Sequence, residues 1–65
     1  MMNKEIFRVE MARRSLSLRK LEELTGIKHA TIHRIYHGKR EPTVDEARKI
    51  AAKLEVSVED LWPIN

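Results

Sequence analysis

The sequence predicts an all-α fold in which five short helices pack around one small core. Three observations predict it. Apolar residues recur at helical spacing, and no alternating run marks a strand. Residues of helix-capping type, Asn3, Ser17, Thr43 and Ser57, each stand just ahead of such a stretch. The breakers Gly26, Gly38, Pro42 and Pro63 fall where the stretches stop.

The first helix is expected from Asn3, its N-cap, to about Arg14, with Ile6, Phe7 and Met11 on its buried side. Ser15 and Leu16 connect it to a second helix over Leu18–Thr25, capped by Ser17 and with Leu21 and Leu24 among its apolar positions. At Gly26 the backbone turns through positive φ, which glycine tolerates because it has no Cβ. The third helix is expected over Lys28–His37, with Ile27, Ile32 and Ile35 buried and Gly38 as its stop. Lys39, Arg40 and Glu41 lead to Pro42, which bars further helix. Thr43 and Glu46 form a capping box for the fourth helix, whose apolar stripe is Val44, Ala47, Ile50, Ala51 and Leu54. Ser57 caps a short fifth helix with Val58, Leu61 and Trp62, and Pro63 ends it.

Size and composition narrow the possibilities. Residues 1–65 suffice for a single domain, and a chain this short buries only about 60% of its unfolded surface. It has no cysteine, so neither a disulfide nor a thiolate zinc site can staple it, and that usage fits a reducing, cytoplasmic setting. No long apolar stretch opens the chain, so neither a signal peptide nor a membrane span is expected. The net charge of +3 is unevenly spread. Residues 1–40 hold ten Lys/Arg against four Glu, a balance of +6, whereas residues 41–65 hold three against six Asp/Glu, a balance of −3. Such a split suits one face turned to a polyanion and another turned to solvent or a partner.

Helix, glycine turn, helix is the arrangement that presents its second helix to the DNA major groove. That helix carries donors fit for the task. Arg34 can fork onto guanine O6 and N7, although pairing with Glu23 is a competing use. Lys28, at the helix start, reaches a base or a phosphate, and His29 and His33 donate or accept according to protonation. The methyl groups of Ala30 and Thr31 can meet a thymine methyl. Lys39 and Arg40 suit a backbone clamp, or else a solvated turn. His29, His33 and His37, four apart, gain charge as pH falls from 7 to 6, so DNA affinity should rise over that window.

The chain resembles the phage-repressor and Cro type of helix-turn-helix transcriptional regulator, the xenobiotic-response-element family, over about residues 4–62. The resemblance rests on Leu16-Ser17, Leu21, Thr25-Gly26-Ile27, Thr31-Ile32, Ile35, Gly38-Lys39-Arg40, Pro42, Ile50-Ala51, Leu54, Val56-Ser57-Val58 and Asp60-Leu61, in order and at these spacings. It implies a compact lambda-repressor-like domain whose second and third helices form the DNA-reading unit. It implies base-reading positions at Lys28, His29, Ala30, His33 and Arg34, and phosphate contacts near Ser17, Leu18, Arg19, His37, Lys39 and Arg40. Departures from the family pattern are visible. Leu18 replaces a frequent glutamine and cannot bond a phosphate, which shifts that role to Arg19. Glu22 stands where a small residue is usual, so its carboxylate must point outward or the helices must separate. Met11 and Tyr36 occupy positions of an ion pair found in some members, and an apolar contact there is expected. Glu55 stands where a helix-ending glycine is common, which forces a side chain into positive φ at about 1 kcal/mol.

Other function classes fare less well. No phosphate-cradling glycine loop or Cys/His nucleophile pair is present, so no enzyme and no cofactor are expected. The histidines have a spacing that can bind metal, but no cysteine or nearby carboxylate completes a site, and no metal is expected. The serious rival is a protein-interaction module, since the fold named by the resemblance also occurs in antitoxins and bridging cofactors. Leu61-Trp62-Pro63-Ile64 could then be a partner surface, or Trp62 could be core. A weak homodimer through the helix four–five region and tail is expected, because one such domain covers few base pairs.

Overall fold

The computed structural model describes residues 2–64. Five helices follow one another: α1 (Lys4–Arg13), α2 (Leu18–Thr25), α3 (His29–Tyr36), α4 (Val44–Leu54) and α5 (Val58–Leu61). No strand occurs among the described residues.

Four of the helices start as their side chains dictate. The Asn3 side-chain oxygen accepts from the Ile6 N–H at 3.1 Å, and the Ser17 hydroxyl accepts from the Lys20 N–H at 3.0 Å. Thr43 with Glu46 and Ser57 with Asp60 each close a reciprocal capping box. The third helix is shorter than its sequence suggests. Lys28 and His37 flank it rather than extend it, and Lys28 (φ −58°, ψ 144°) makes no side-chain capping bond. The tight entry from Gly26 leaves Ile27 buried and Lys28 extended, so the first helical residue is His29.

Every long helix ends through one residue at positive φ. At Gly26 (φ 74°) the N–H returns to the Glu22 carbonyl at 2.8 Å. Around Gly38 (φ 72°), Lys39 donates to Arg34 and Gly38 to Ile35, the paired bonds of a Schellman ending. The same pair forms around Glu55 (φ 57°), where Val56 donates to Ala51 and Glu55 to Ala52. This bears out the conformation expected of Glu55. The pair recurs at Ser15 (φ 53°), where Leu16 donates to Met11 and Ser15 to Ala12. A left-handed side chain is strained by about 1 kcal/mol, so Ser15→Gly should stabilise the domain by up to about that much. In a domain of this size the thermal midpoint should rise by a few degrees, up to about 8 °C per kcal/mol, which circular dichroism would read.

The core joins all five helices. Phe7, Leu21, Ile32, Ile35, Ile50, Leu54 and Leu61 are essentially buried, with Met11, Ile27, Ala47 and Ala51 nearly so. Phe7 is its aromatic centre. Tyr36 meets it edge-on at 5.0 Å between ring centroids, and Trp62 at 6.4 Å. Trp62 is therefore partly core, and Met11 and Tyr36 both join apolar packing, as expected. Leu24 and Val44 depart from the expected core: they are 42% and 68% exposed. The Asn3 N–H donates to the Leu61 carbonyl at 2.7 Å and ties the start of α1 to α5.

Two carboxylates make the fold sensitive to acid. The Thr43 backbone N–H, and then Arg40, hold Glu46 below the usual glutamate range, and Arg14 does the same for Glu10. A depressed folded pKa gives stability that is present above the unfolded value of about 4.3 and lost as pH falls through the folded value. Thermal midpoints measured across acid pH should drop in that window. Glu46→Gln, which keeps a capping-box side chain, should shrink the drop.

Candidate nucleic-acid interface

The α2–Gly26–α3 unit is fixed from beneath. Thr25, buried, donates its hydroxyl to the Leu21 carbonyl at 2.7 Å and accepts from the Ile27 N–H at 3.3 Å. Ile27, Ile32 and Ile35 then anchor α3 in the core. Their burial turns the opposite side of α3 to solvent, and Lys28, His29, Ala30, His33, Arg34 and His37 are all exposed there. Thr31 is half-buried and lies at the margin of this face.

A row of side chains crosses three helices on this surface. Glu22 of α2 places a carboxylate oxygen 3.1 Å from His29 Nδ1. The rings of His29 and His33 lie 5.2 Å apart, and those of His33 and His37 4.7 Å apart. At the far end, Lys4 of α1 sits with Nζ 3.4 Å from His37 Nδ1 and 4.8 Å over the Tyr36 ring. Glu22 thus satisfies its unusual position by turning its carboxylate toward the first residue of α3. Loss of water around the His37 ring, and then the positive fields of Lys4, His33 and Lys39, hold His37 below the usual imidazole range.

Several cations are spent on acidic neighbours. Arg8 pairs with Glu5, Arg13 and Arg14 with Glu10, Lys20 with Glu23, and Lys49 with Asp45. Arg19, Lys28, Arg34 and Lys39 have no acidic partner among the described residues. Glu23, the competing partner for Arg34, is 3.6 Å from Lys20 instead. These four unpaired cations all lie on the α2–α3 unit or the loop after it. Arg48 and Lys53 of α4 are the other Lys/Arg without an acidic partner or a histidine contact among the described residues.

A family model for helix-turn-helix proteins matches residues 8–61, from within α1 to the end of α5. The chain belongs to the helix-turn-helix family. No curated protein and no solved structure matches it. As a helix-turn-helix protein it is a DNA-binding regulator, and its five-helix architecture fits the lambda-repressor-like fold. No helix among the described residues is long and apolar enough to cross a membrane. None of their His, Cys, Asp and Glu side chains form a group of three able to hold a metal ion.

Within this helix-turn-helix unit the expected site residues are differently placed. Ser17 is exposed at the start of α2, its oxygen occupied by the cap, while its hydroxyl proton remains a donor. Leu18 packs on the core, and Arg19 beside it is exposed. Lys39 is exposed, but Arg40 is half-buried and donates to Glu46 at 3.2 Å. Glu46 therefore serves a capping box and Arg40 together. Lys4 and Glu22 escape a sequence reading of the site. Lys4 lies 33 residues from His37 in the chain, and no local spacing predicts that they meet.

Proposed function

We propose that the protein is a sequence-specific transcriptional repressor that reads double-stranded DNA by inserting α3 into the major groove. The observation that carries this reading is the concentration of unpaired cations on α2, α3 and the following loop. In this reading Arg34 forks onto a guanine edge, and Lys28, His29 and His33 contact neighbouring bases. Ala30 and Thr31 supply methyl contacts. Ser17, Arg19, His37 and Lys39 hold phosphates, with Arg40 following once it loosens from Glu46. His37, held below the usual imidazole range by lost hydration and then by Lys4, His33 and Lys39, gains charge only at lower pH than the sequence suggests, and charge there strengthens the grip on a polyanion.

Two copies are proposed to act together, each in a half-site about 34–36 Å from the other. The surface that favours pairing is the groove of about 340 Å³ between the α3–α4 loop and α5. Its lining includes Val44, Ala47, Val58 and Trp62, and exposed Ile64 follows α5. A cysteine-free DNA regulator of this kind fits the cytoplasm.

Selection of bound duplexes from a random library tests the proposal. A consensus with a two-fold repeat is expected. A consensus without symmetry would remove the paired arrangement. No retention of any duplex at low salt would favour an antitoxin-like or bridging module that binds protein instead.

A further inference from the structure

Lys4 lies outside residues 8–61, the span matched by the helix-turn-helix family, yet it completes the row of nitrogen donors on the reading face. We propose that Lys4 and His37 together form a clamp for one DNA backbone phosphate at the C-terminal end of α3. The inference rests on the DNA-reading proposal and extends its footprint to α1.

The geometry argues for it at several levels. Lys4 is exposed on the first turn of α1, and no carboxylate pairs with it among the described residues. Its ammonium is instead held 3.4 Å from His37 Nδ1 and 4.8 Å over the Tyr36 ring, so it is positioned without being neutralised. A cleft of about 170 Å³ opens beside it, lined by Lys4, Tyr36, His37, Arg40, Glu41 and Trp62 among others. The one acid there, Glu41, makes no ion pair with Lys4. Lost hydration first, and then the positive fields of Lys4, His33 and Lys39, disfavour charge on His37, and an anion relieves the second of these. A phosphate placed against Lys4 accepts from the ammonium and, once His37 is charged, from the imidazolium too. Lys4, His33 and Lys39 face His37 with positive fields. Tyr36 flanks its ring at 5.1 Å.

The site follows the duplex because His37 continues the His29–His33 row, which lies on the same face as Arg34. A groove-bound α3 would bring its C-terminal end and the adjoining loop toward a sugar-phosphate strand. Free inorganic phosphate carries the same chemistry, but it lacks the neighbouring contacts that would hold it there.

The test is the salt dependence of duplex binding by the full chain and by Lys4→Gln. Losing one phosphate contact should make the slope of log affinity against log salt shallower by about 0.9, on random and selected duplexes alike. The affinity lost between 50 and 200 mM salt should then be about threefold smaller. Lys4→Arg should restore the native slope, which a merely structural role at the start of α1 does not require. A native slope in Lys4→Gln, with thermal unfolding unchanged, would overturn the clamp while leaving DNA binding standing. So would a His37 signal perturbed by millimolar inorganic phosphate with no change of slope in the variant. Failure of the unaltered chain to bind any duplex would instead overturn the reading on which the clamp rests. If Lys4→Gln does not fold, Lys4→Met and Lys4→Arg provide the same comparison of neutral and charged side chains.

Discussion

Phe7→Ala should abolish most of the cooperative unfolding transition. Phe7 is fully buried at the meeting point of α1, α3 and α5, with Tyr36 and Trp62 edge-on against it. Removing such a ring from a core costs about 3–5 kcal/mol, through lost burial and the cavity left behind. A domain of 65 residues has a total stability of roughly 3–10 kcal/mol, so the loss is comparable to the whole. Neither a disulfide nor a metal site among the described residues offsets it. Thermal circular dichroism should show a transition displaced far below the native one, or none. Leu24→Ala is the control: its side chain is 42% exposed, and its cost should be a fraction of that at Phe7. Equal effects at the two positions would contradict the core described above.

Arg34→Ala combined with Lys28→Ala should remove sequence selectivity while sparing general affinity for DNA. Both side chains are exposed on α3 and have no acidic partner among the described residues, so neither substitution orphans an intramolecular ion pair. Each good bidentate base contact discriminates by about 1–3 kcal/mol, or about 5- to 150-fold against a wrong base. The double variant should approach its own random-duplex affinity on the selected site. Arg19, Lys39, His37 and Lys4 remain, so binding to random duplex at low salt should fall much less. Gel-shift titrations on selected and scrambled duplexes measure both quantities. Retained preference for the selected sequence would place the reading surface elsewhere.

Much of the architecture was legible because its signals are local. A cap reaches three residues ahead, so Asn3, Ser17, Thr43 and Ser57 announce their helices within one turn. Gly26 and Gly38 mark left-handed endings for the same reason. Ser15 adopts that conformation without the glycine that usually signals it, while the following Leu16 packs back on the core. Helical spacing identifies the apolar stripes but not how much of each is covered, and Leu24 and Val44, both on such stripes, stand exposed.

The proposed DNA-facing surface was legible on α3, where one helix orders all its members. It was not legible where separate helices meet. Arg40 and Glu46 are six residues apart across a proline turn, and Glu22 and His29 seven apart across a glycine turn. The contact of Lys4 with His37 depends on the whole packing of α1 against the core. Charge type is visible in a sequence, but which charges remain free depends on tertiary structure.

In the proposed complex Arg34 reads a base edge in the major groove. Affinity for the selected duplex carrying 7-deazaguanine, which lacks the N7 acceptor, tests it most directly. One such replacement should weaken binding by the unaltered chain several-fold or more and leave Arg34→Ala indifferent. Equal tolerance of the replacement at every guanine by both proteins would contradict it.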